Sequence, residues 1–239
     1  PHTVVVLADP ERRAFLARAR GLDIADVWPT YSLLATGPAD AALGPEGDPP
    51  PDPSPDPSEV VIALSAWQLK GDVASARDLE DVLRCAPRRL PGLRFSLLGA
   101  AGAHAPRRLR KRLEALPGAK DGPLPLADYG RRLATAGVVW PPKRDQYATQ
   151  SSGKALDALV AGRPVLLPSG SAGQVEQERW VPGAPSYRSR TELWDLLREL
   201  PDLVGPWADA LRGSRAEIRA RYAPERALAV LLAHADAAR

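Results

Sequence analysis

The sequence predicts an α/β fold: a Rossmann-like parallel sheet with helices on both faces. Three observations carry the layered part of that expectation. Apolar runs of strand length recur along the chain, namely "TVVVLA" (3–8), "VVIALSAW" (60–67), "LRFSLLGA" (93–100), "VVW" (138–140) and "PVLLP" (164–168). Stretches of helical periodicity alternate with them. The run "DVASARDLEDVLRCA" (72–86) places Val73, Ala76, Leu79 and Leu83 on one face between two of those strands, which makes a complete strand, helix, strand unit.

The elements follow in order. "TVVVLA" reads as a strand, and "DPERRAFLARARG" (9–21) as a helix opened by Asp-Pro and closed by Gly21. "ADVWPTYSLLATG" (25–37) offers one more short strand. Residues 38–58 contain "EGDPPPDPSPDPS", a polyproline-like tether, and mark the domain boundary between 1–37 and 59–239. Beyond the strand, helix, strand unit come two helices, "RRLRKRLEAL" (107–116) and "LADYGRRLATA" (126–136), then the strand "VVW". "SSGKALDALVAGRPVLLPSG" (151–170) reads as a helix followed by a strand. From Ser189 the text is helical, with a capping box at Ser189 and Glu192, and "YAPERALAVLLAHADAAR" (222–239) closes it.

Composition bounds the function classes. The 239 residues suffice for one large or two small domains without a metal or disulfide staple. The 32 basic and 29 acidic residues leave +3, which gives no general case for a nucleic-acid partner but allows a local anion site. The lone cysteine, Cys85, rules out an internal disulfide framework and a Cys-rich metal site, and points to a reducing, cytoplasmic compartment. No apolar run reaches the length of a membrane span, and no leader segment is visible. A start at Pro1 and the lack of any methionine predict a processed or excised piece with sequence upstream.

In an open parallel sheet, ligands sit at the carboxyl ends of strands, where loops lead into helix starts. Four junctions fit: "SAWQLKGD" (65–72), "GAAG" (99–102), "GPLPLADYG" (122–130) and "PPKRDQYATQSSGK" (141–154). The last is the richest. Ser151 or Ser152 is suited to cap the helix, Gly153 permits close backbone approach, and the free N–H groups at the positive helix end favour phosphate. Ala155, Leu156, Leu159 and Val160 form its buried face, while Gly153, Lys154 and Asp157 share the opposite side. From Ser152 to Asp157 the rise is ~7.5 Å, the reach from a diphosphate to the ribose hydroxyls of a nucleotide. The plainer reading is a capped helix with Asp157 as an ordinary exposed acid.

The stretch "SSGKALDALVAGRPVLLPSG" resembles the donor-binding signature of GT-B fold glycosyltransferases, the retaining, group 1 type, through Asp157, Ala158, Leu159, Ala161, Gly162, Pro164 and Val165. "LSAWQLKGD" (64–72) is similar to the family's loop after the first strand of its C-terminal lobe, with Lys70 and Gly71 as the Lys-Gly pair. Residues 4–34 are similar to the end of the N-terminal lobe and the crossover. The resemblance implies a nucleotide-sugar-binding lobe that transfers a sugar from a nucleoside diphosphate donor to an unknown acceptor with retention, and needs no cofactor. It implies that Lys70 contacts the donor diphosphate, that the backbone at Ser152 and Gly153 binds phosphate, and that Asp157 holds the ribose. Thr149 and Gln150 fall where the family contacts the sugar.

Two positions depart from the family pattern. Thr149 stands where the first of two acids belongs, and Ser65 where an arginine accompanies the lysine. Loss of one such donor weakens stabilisation of the leaving group by about 3 kcal/mol in other enzymes. Lys143 or Arg144 could replace the cation, and Asp145 or Gln150 the sugar contact. No catalytic residue is assigned. Two competing readings follow: a degenerate, non-catalytic module that binds a nucleotide or a protein partner, and an unrelated doubly wound phosphate-binding protein.

Other features carry less. Arg107, Arg108, Arg110, Lys111 and Arg112 surround a Leu109, Leu113, Leu116 stripe. A solvated helix face is the simpler reading, and peripheral contact with anionic lipid or an acidic partner the sharper one. His2, His104 and His234 are too scattered for a metal site. Trp67, beside Lys70, suits an apolar loop anchor more than a stacking platform.

Overall fold

A computed structural model describes residue 32 and residues 54–64, 69, 72–101, 104–119, 124–142, 152–226 and 228–229. The strand and helix expected within 3–21 lie outside the described residues, as do most of the Pro-rich stretch and the closing segment.

Three strands form the core sheet: β1 (Glu59–Leu64), β2 (Arg94–Gly99) and β3 (Val138–Trp140), in the order β2-β1-β3 and all parallel. From Val60 to Leu64 every residue of β1 is buried. That is the pattern expected of a central strand covered on both faces, where alternation disappears. Between β1 and β2 runs α1 (Val73–Arg89), whose Asp72 cap accepts from the Ser75 N–H at 2.9 Å. Next come α2 (Arg107–Glu114) and α3 (Leu126–Thr135), the latter returning into β3. Leu109 and Leu113 of α2 and Leu133 of α3 are fully buried.

The helix α4 (Gly153–Val160) buries Ala155, Leu156, Leu159 and Val160, as the sequence predicts, and Ala158 as well. It ends in a Schellman turn: the Arg163 N–H bonds to the Ala158 carbonyl at 2.8 Å and the Gly162 N–H to Leu159 at 2.9 Å. Gly162 takes φ +72°, a conformation that costs a residue with a side chain. This turn aims the chain straight back at the sheet. The Val139 N–H reaches the Pro164 carbonyl at 3.0 Å, the Leu166 N–H reaches Val139 at 2.9 Å, and Val165 bridges Val139 in parallel. The segment then continues as β4 (Leu167–Pro168), paired in parallel with β5 (Ser186–Tyr187). The strand expected at 164–168 is therefore split between a single bridge to β3 and a two-residue pairing on its other side. β5 escapes the sequence pattern because two residues show no periodicity.

Between β4 and β5, α5 (Ala172–Glu178) carries a fully buried glutamine. Gln177 accepts the Val165 N–H at 2.5 Å and donates to the Val165 carbonyl at 2.8 Å. It thereby acts as one residue of strand for a backbone that the sheet leaves half-paired. α6 (Arg190–Gly213) starts on Ser189, which accepts from the Glu192 N–H at 3.2 Å; the Glu192 carboxylate accepts from Arg188 at 2.7 Å, one residue earlier than an ideal capping box. The text read as helical from Ser189 is one helix as far as Gly213, and α6 runs through both Pro201 and Pro206. The buried stripe of Leu193, Leu197, Leu200, Val204, Trp207 and Leu211 crosses both prolines, so packing overrides the lost backbone bonds. α7 (Arg215–Tyr222) follows and packs against α4.

Residues 54–58, the end of the Pro-rich stretch, dock on the sheet's amino end, where the Asp56 N–H bonds to Thr135 and the Glu59 N–H to Asp56. Replacing Gln177 by Leu orphans the N–H and the carbonyl of Val165, at about 1–3 kcal/mol for each. Urea denaturation should show the midpoint lowered accordingly, and an unchanged midpoint would remove Gln177 from its bridging role.

Candidate functional site

Parallel pairing puts the ends of β1, β2 and β3 on one edge: Leu64 is in register with Gly99, and Ile62 with Trp140. Three of the four junctions therefore open on the same side. The fourth joins them because α3 leads back into β3 and must run opposite to it, which brings its first turn to the carboxyl edge. A side-chain bond shows this directly, since Tyr129 of α3 donates its hydroxyl to Asp157 of α4 at 3.0 Å.

Ser152, not Ser151, is the described cap of α4. Its hydroxyl accepts the Ala155 N–H at 3.4 Å and is buried, so its side chain serves the helix. Gly153 is exposed, with open space where a Cβ would project, leaving the backbone of the first turn approachable. Lys70, Thr149 and Gln150 lie outside the described residues, together with Ser65, Trp67, Gly71, Lys143, Arg144, Asp145 and Ser151. Of the six site residues expected from sequence, the structure thus places Ser152, Gly153 and Asp157 on one short helix.

Asp157 is not an ordinary exposed acid. It is half-buried, and its Oδ1 accepts the hydroxyl of Ser32 at 2.5 Å while Oδ2 accepts that of Tyr129. Ser32 comes from the stretch read as the crossover, and its N–H is held by the Tyr222 carbonyl of α7 at 3.0 Å. Burial pushes the Asp157 carboxyl upward; the hydroxyls of Ser32 and Tyr129 and the charge of Lys154 pull it back only in part. Burial also raises the Tyr129 hydroxyl, reinforced by the neighbouring carboxylate. A carboxylate has about four lone-pair positions, so one hydroxyl on each oxygen leaves room for two further donors.

Lys154 is the residue that sequence reasoning noticed without assigning. Its side chain is half-buried, and its ammonium lies 3.7 Å from the point where a Cβ on Gly99 would stand. The same point is 1.9 Å from the Leu64 carbonyl oxygen, and Gly99 takes φ +109°, so the position admits only glycine. Burial lowers the Lys154 pKa, and the Asp157 charge opposes that shift only partly. Its signal in the sequence was a lone cation on the side of the helix facing the strand ends.

The remaining sequence candidates fall elsewhere. All five cations of α2 are exposed while Leu109 and Leu113 are in the core, which agrees with a solvated face and leaves neither leucine for lipid. Trp140, Trp194 and Trp207 are buried, and the Trp140 N–H reaches the Tyr187 hydroxyl at 3.3 Å. Among the described residues no group of His, Cys, Asp and Glu is arranged to hold a metal, and no helix is long and apolar enough to cross a membrane. His104 is exposed, and His2 and His234 lie outside the described residues.

The Asp157 environment makes a pH prediction. Because its folded-state pKa stands above the usual 3.8, the folded chain binds that proton more tightly than the unfolded chain. The cost of burying the charge is present above the folded-state pKa and disappears as pH falls through it towards 3.8. In paired thermal melts, wild type should gain stability relative to Asp157→Asn as pH falls through that window. A constant difference would show that the carboxyl titrates normally.

No protein-family model matches the sequence, and no curated protein matches it. Solved structures do. A point mutant of S. aureus TarM in complex with fondaparinux, alpha-GlcNAc-glycerol and UDP superposes with a TM-score of 0.63 at 10% identity, covering 95% of this chain and 43% of that one. A second TarM crystal structure gives a TM-score of 0.50 at 14% identity, over 73% of this chain and 34% of the other. The chain thus spans less than half the length of the structures it matches. By that likeness and by its own parallel strand order, it has the α/β, Rossmann-like fold of a GT-B lobe.

Proposed function

We propose that this chain is the nucleotide-sugar-binding lobe of a GT-B glycosyltransferase, transferring a sugar with retention from a nucleoside diphosphate donor to an acceptor bound outside the described residues. The observation that carries the reading is Asp157: a half-buried carboxylate that accepts hydroxyls on both oxygens, on the same helix as an approachable N-terminal turn, at the sheet edge where such folds bind ligands. Ribose offers the same chemistry as Ser32 and Tyr129, two O–H donors for one carboxylate. UDP in the TarM complex supports a nucleoside diphosphate as the occupant.

The family resemblance supplies the roles: Lys70 and the backbone at Ser152 and Gly153 for the diphosphate, Asp157 for the ribose, and Thr149 and Gln150 for the sugar. Catalysis on this lobe is positioning and stabilisation of the departing diphosphate, with the acceptor supplied from elsewhere. The donor is a substrate, and the reading calls for no cofactor. The reading is compatible with the reducing, cytoplasmic compartment expected from the lone cysteine.

A second reading, a non-catalytic module, is favoured by one observation. Each oxygen of Asp157 already accepts one protein hydroxyl, from Ser32 and Tyr129, which gives the acid a role as a structural latch without any ligand.

The readings separate in a thermal-shift screen against UDP, GDP, ADP and TDP sugars. At a hundredfold excess over Kd a bound donor adds about 2.7 kcal/mol, several degrees for a chain of this size. The shift should vanish in Lys70→Ala and Asp157→Ala. If none of the four raises the melting temperature, the donor-site reading fails.

A further inference from the structure

We propose that Lys154 is a phosphate-contacting residue, a cation held at the adjoining ends of β1 and β2 that engages the diphosphate of the nucleotide. The inference rests on the donor-site reading and adds a residue that reading does not contain.

The geometry is specific. Lys154 occupies the first turn of α4, where the positive end of the helix disfavours a cation and where an exposed lysine would turn outward to water. Instead its ammonium lies 3.7 Å from the Cβ point of Gly99, which itself falls against the Leu64 carbonyl. That location lies over two paired strand termini, inside the edge on which the loops converge. Any side chain at position 99 would meet the Leu64 carbonyl, and the ammonium stands at ordinary contact distance from the same point, which places it directly at the paired strand ends.

The neighbouring charges leave an anion wanting. Asp157, one turn on, directs its two oxygens to Ser32 and Tyr129, and its charge offsets only part of what burial costs the lysine. The Lys154 ammonium and the first-turn backbone at Gly153 and Lys154 thus form a positive surface at the helix start, and Asp157 lies ~4.5 Å beyond Lys154 along the axis, three residues at ~1.5 Å each. A nucleoside diphosphate has the matching order: two phosphates, then a ribose diol.

Calorimetry on the whole chain tests the assignment. The probe is whichever of UDP, GDP, ADP and TDP gives the largest thermal shift, titrated alongside its parent nucleoside. Lys154→Met should weaken the diphosphate roughly tenfold to a hundredfold, the worth of a charge-assisted contact, and leave the nucleoside unchanged. Lys154→Arg should restore most of the loss. Equal binding of the diphosphate by wild type and Lys154→Met overturns the assignment while the donor site stands. Equal weakening of diphosphate and nucleoside assigns the lysine to the fold and also overturns it. No binding of any diphosphate by wild type overturns the assignment and the donor-site reading together. Should the Met variant not fold, Lys154→Gln takes its place in the same comparison.

Discussion

Parallel pairing on both sides of β1 is the constraint from which the rest follows. A strand buried on both faces and bonded on both edges anchors its two neighbours and receives helices on both sides, so every other element is placed relative to it. Parallel neighbours also cannot be joined by tight turns, so the chain must cross over in helices, and every strand must end on the same edge. The close approach of Gly99 to the Leu64 carbonyl is a local result of that pairing. So is the convergence of loops from distant parts of the sequence on one small area.

What gathers at that edge is charge in poor contact with water. A carboxylate and an ammonium three residues apart on α4 are both half-buried, and burial moves each towards its neutral form. The fold does not resolve this by pairing them tightly. It gives the carboxylate two hydroxyls and leaves the ammonium beside the strand ends, an arrangement that a bound anion would complete. Elsewhere buried charge is settled internally, as where Asp78 meets Arg190 at 2.9 Å and Glu176 meets Arg221 at 2.8 Å.

Much of this was legible in the sequence, for identifiable reasons. The runs of "VVIAL" and "FSLL" are apolar on both faces, and "VVW" stands between a helix and a proline pair, so β1, β2 and β3 were readable from local pattern alone. The cap at Ser152 and the glycine turn at Gly162 are backbone chemistry with residue-specific signals. β4 and β5 were not readable in their true form, since their pairing depends on a Schellman turn and on Gln177 rather than on periodicity. The run of α6 past Pro201 and Pro206 agrees with the helical reading from Ser189, and its buried stripe holds the helix across both prolines. At the site, spacing located Asp157 and the N-terminal turn, but the partners Ser32 and Tyr129 come from remote positions with no local motif, and Lys154 looked like any surface lysine until Gly99 was placed beneath it.

The contact between Ser32 and Asp157 has a consequence for how the protein comes into being. These residues are 125 positions apart, and Ser32 is also tied to the end of α7, so closing this contact requires most of the chain to have been made and folded. Closing so long a loop costs entropy that only preceding local structure can recover, which places this contact late in assembly. The carboxylate therefore has Tyr129 within reach early, but gains Ser32 only once the chain as far as α7 is in place. A cut between Ser32 and α7 would release one of the two hydroxyls that orient the acid, so the setting of Asp157 reports that the span from Ser32 to Tyr222 is joined and folded.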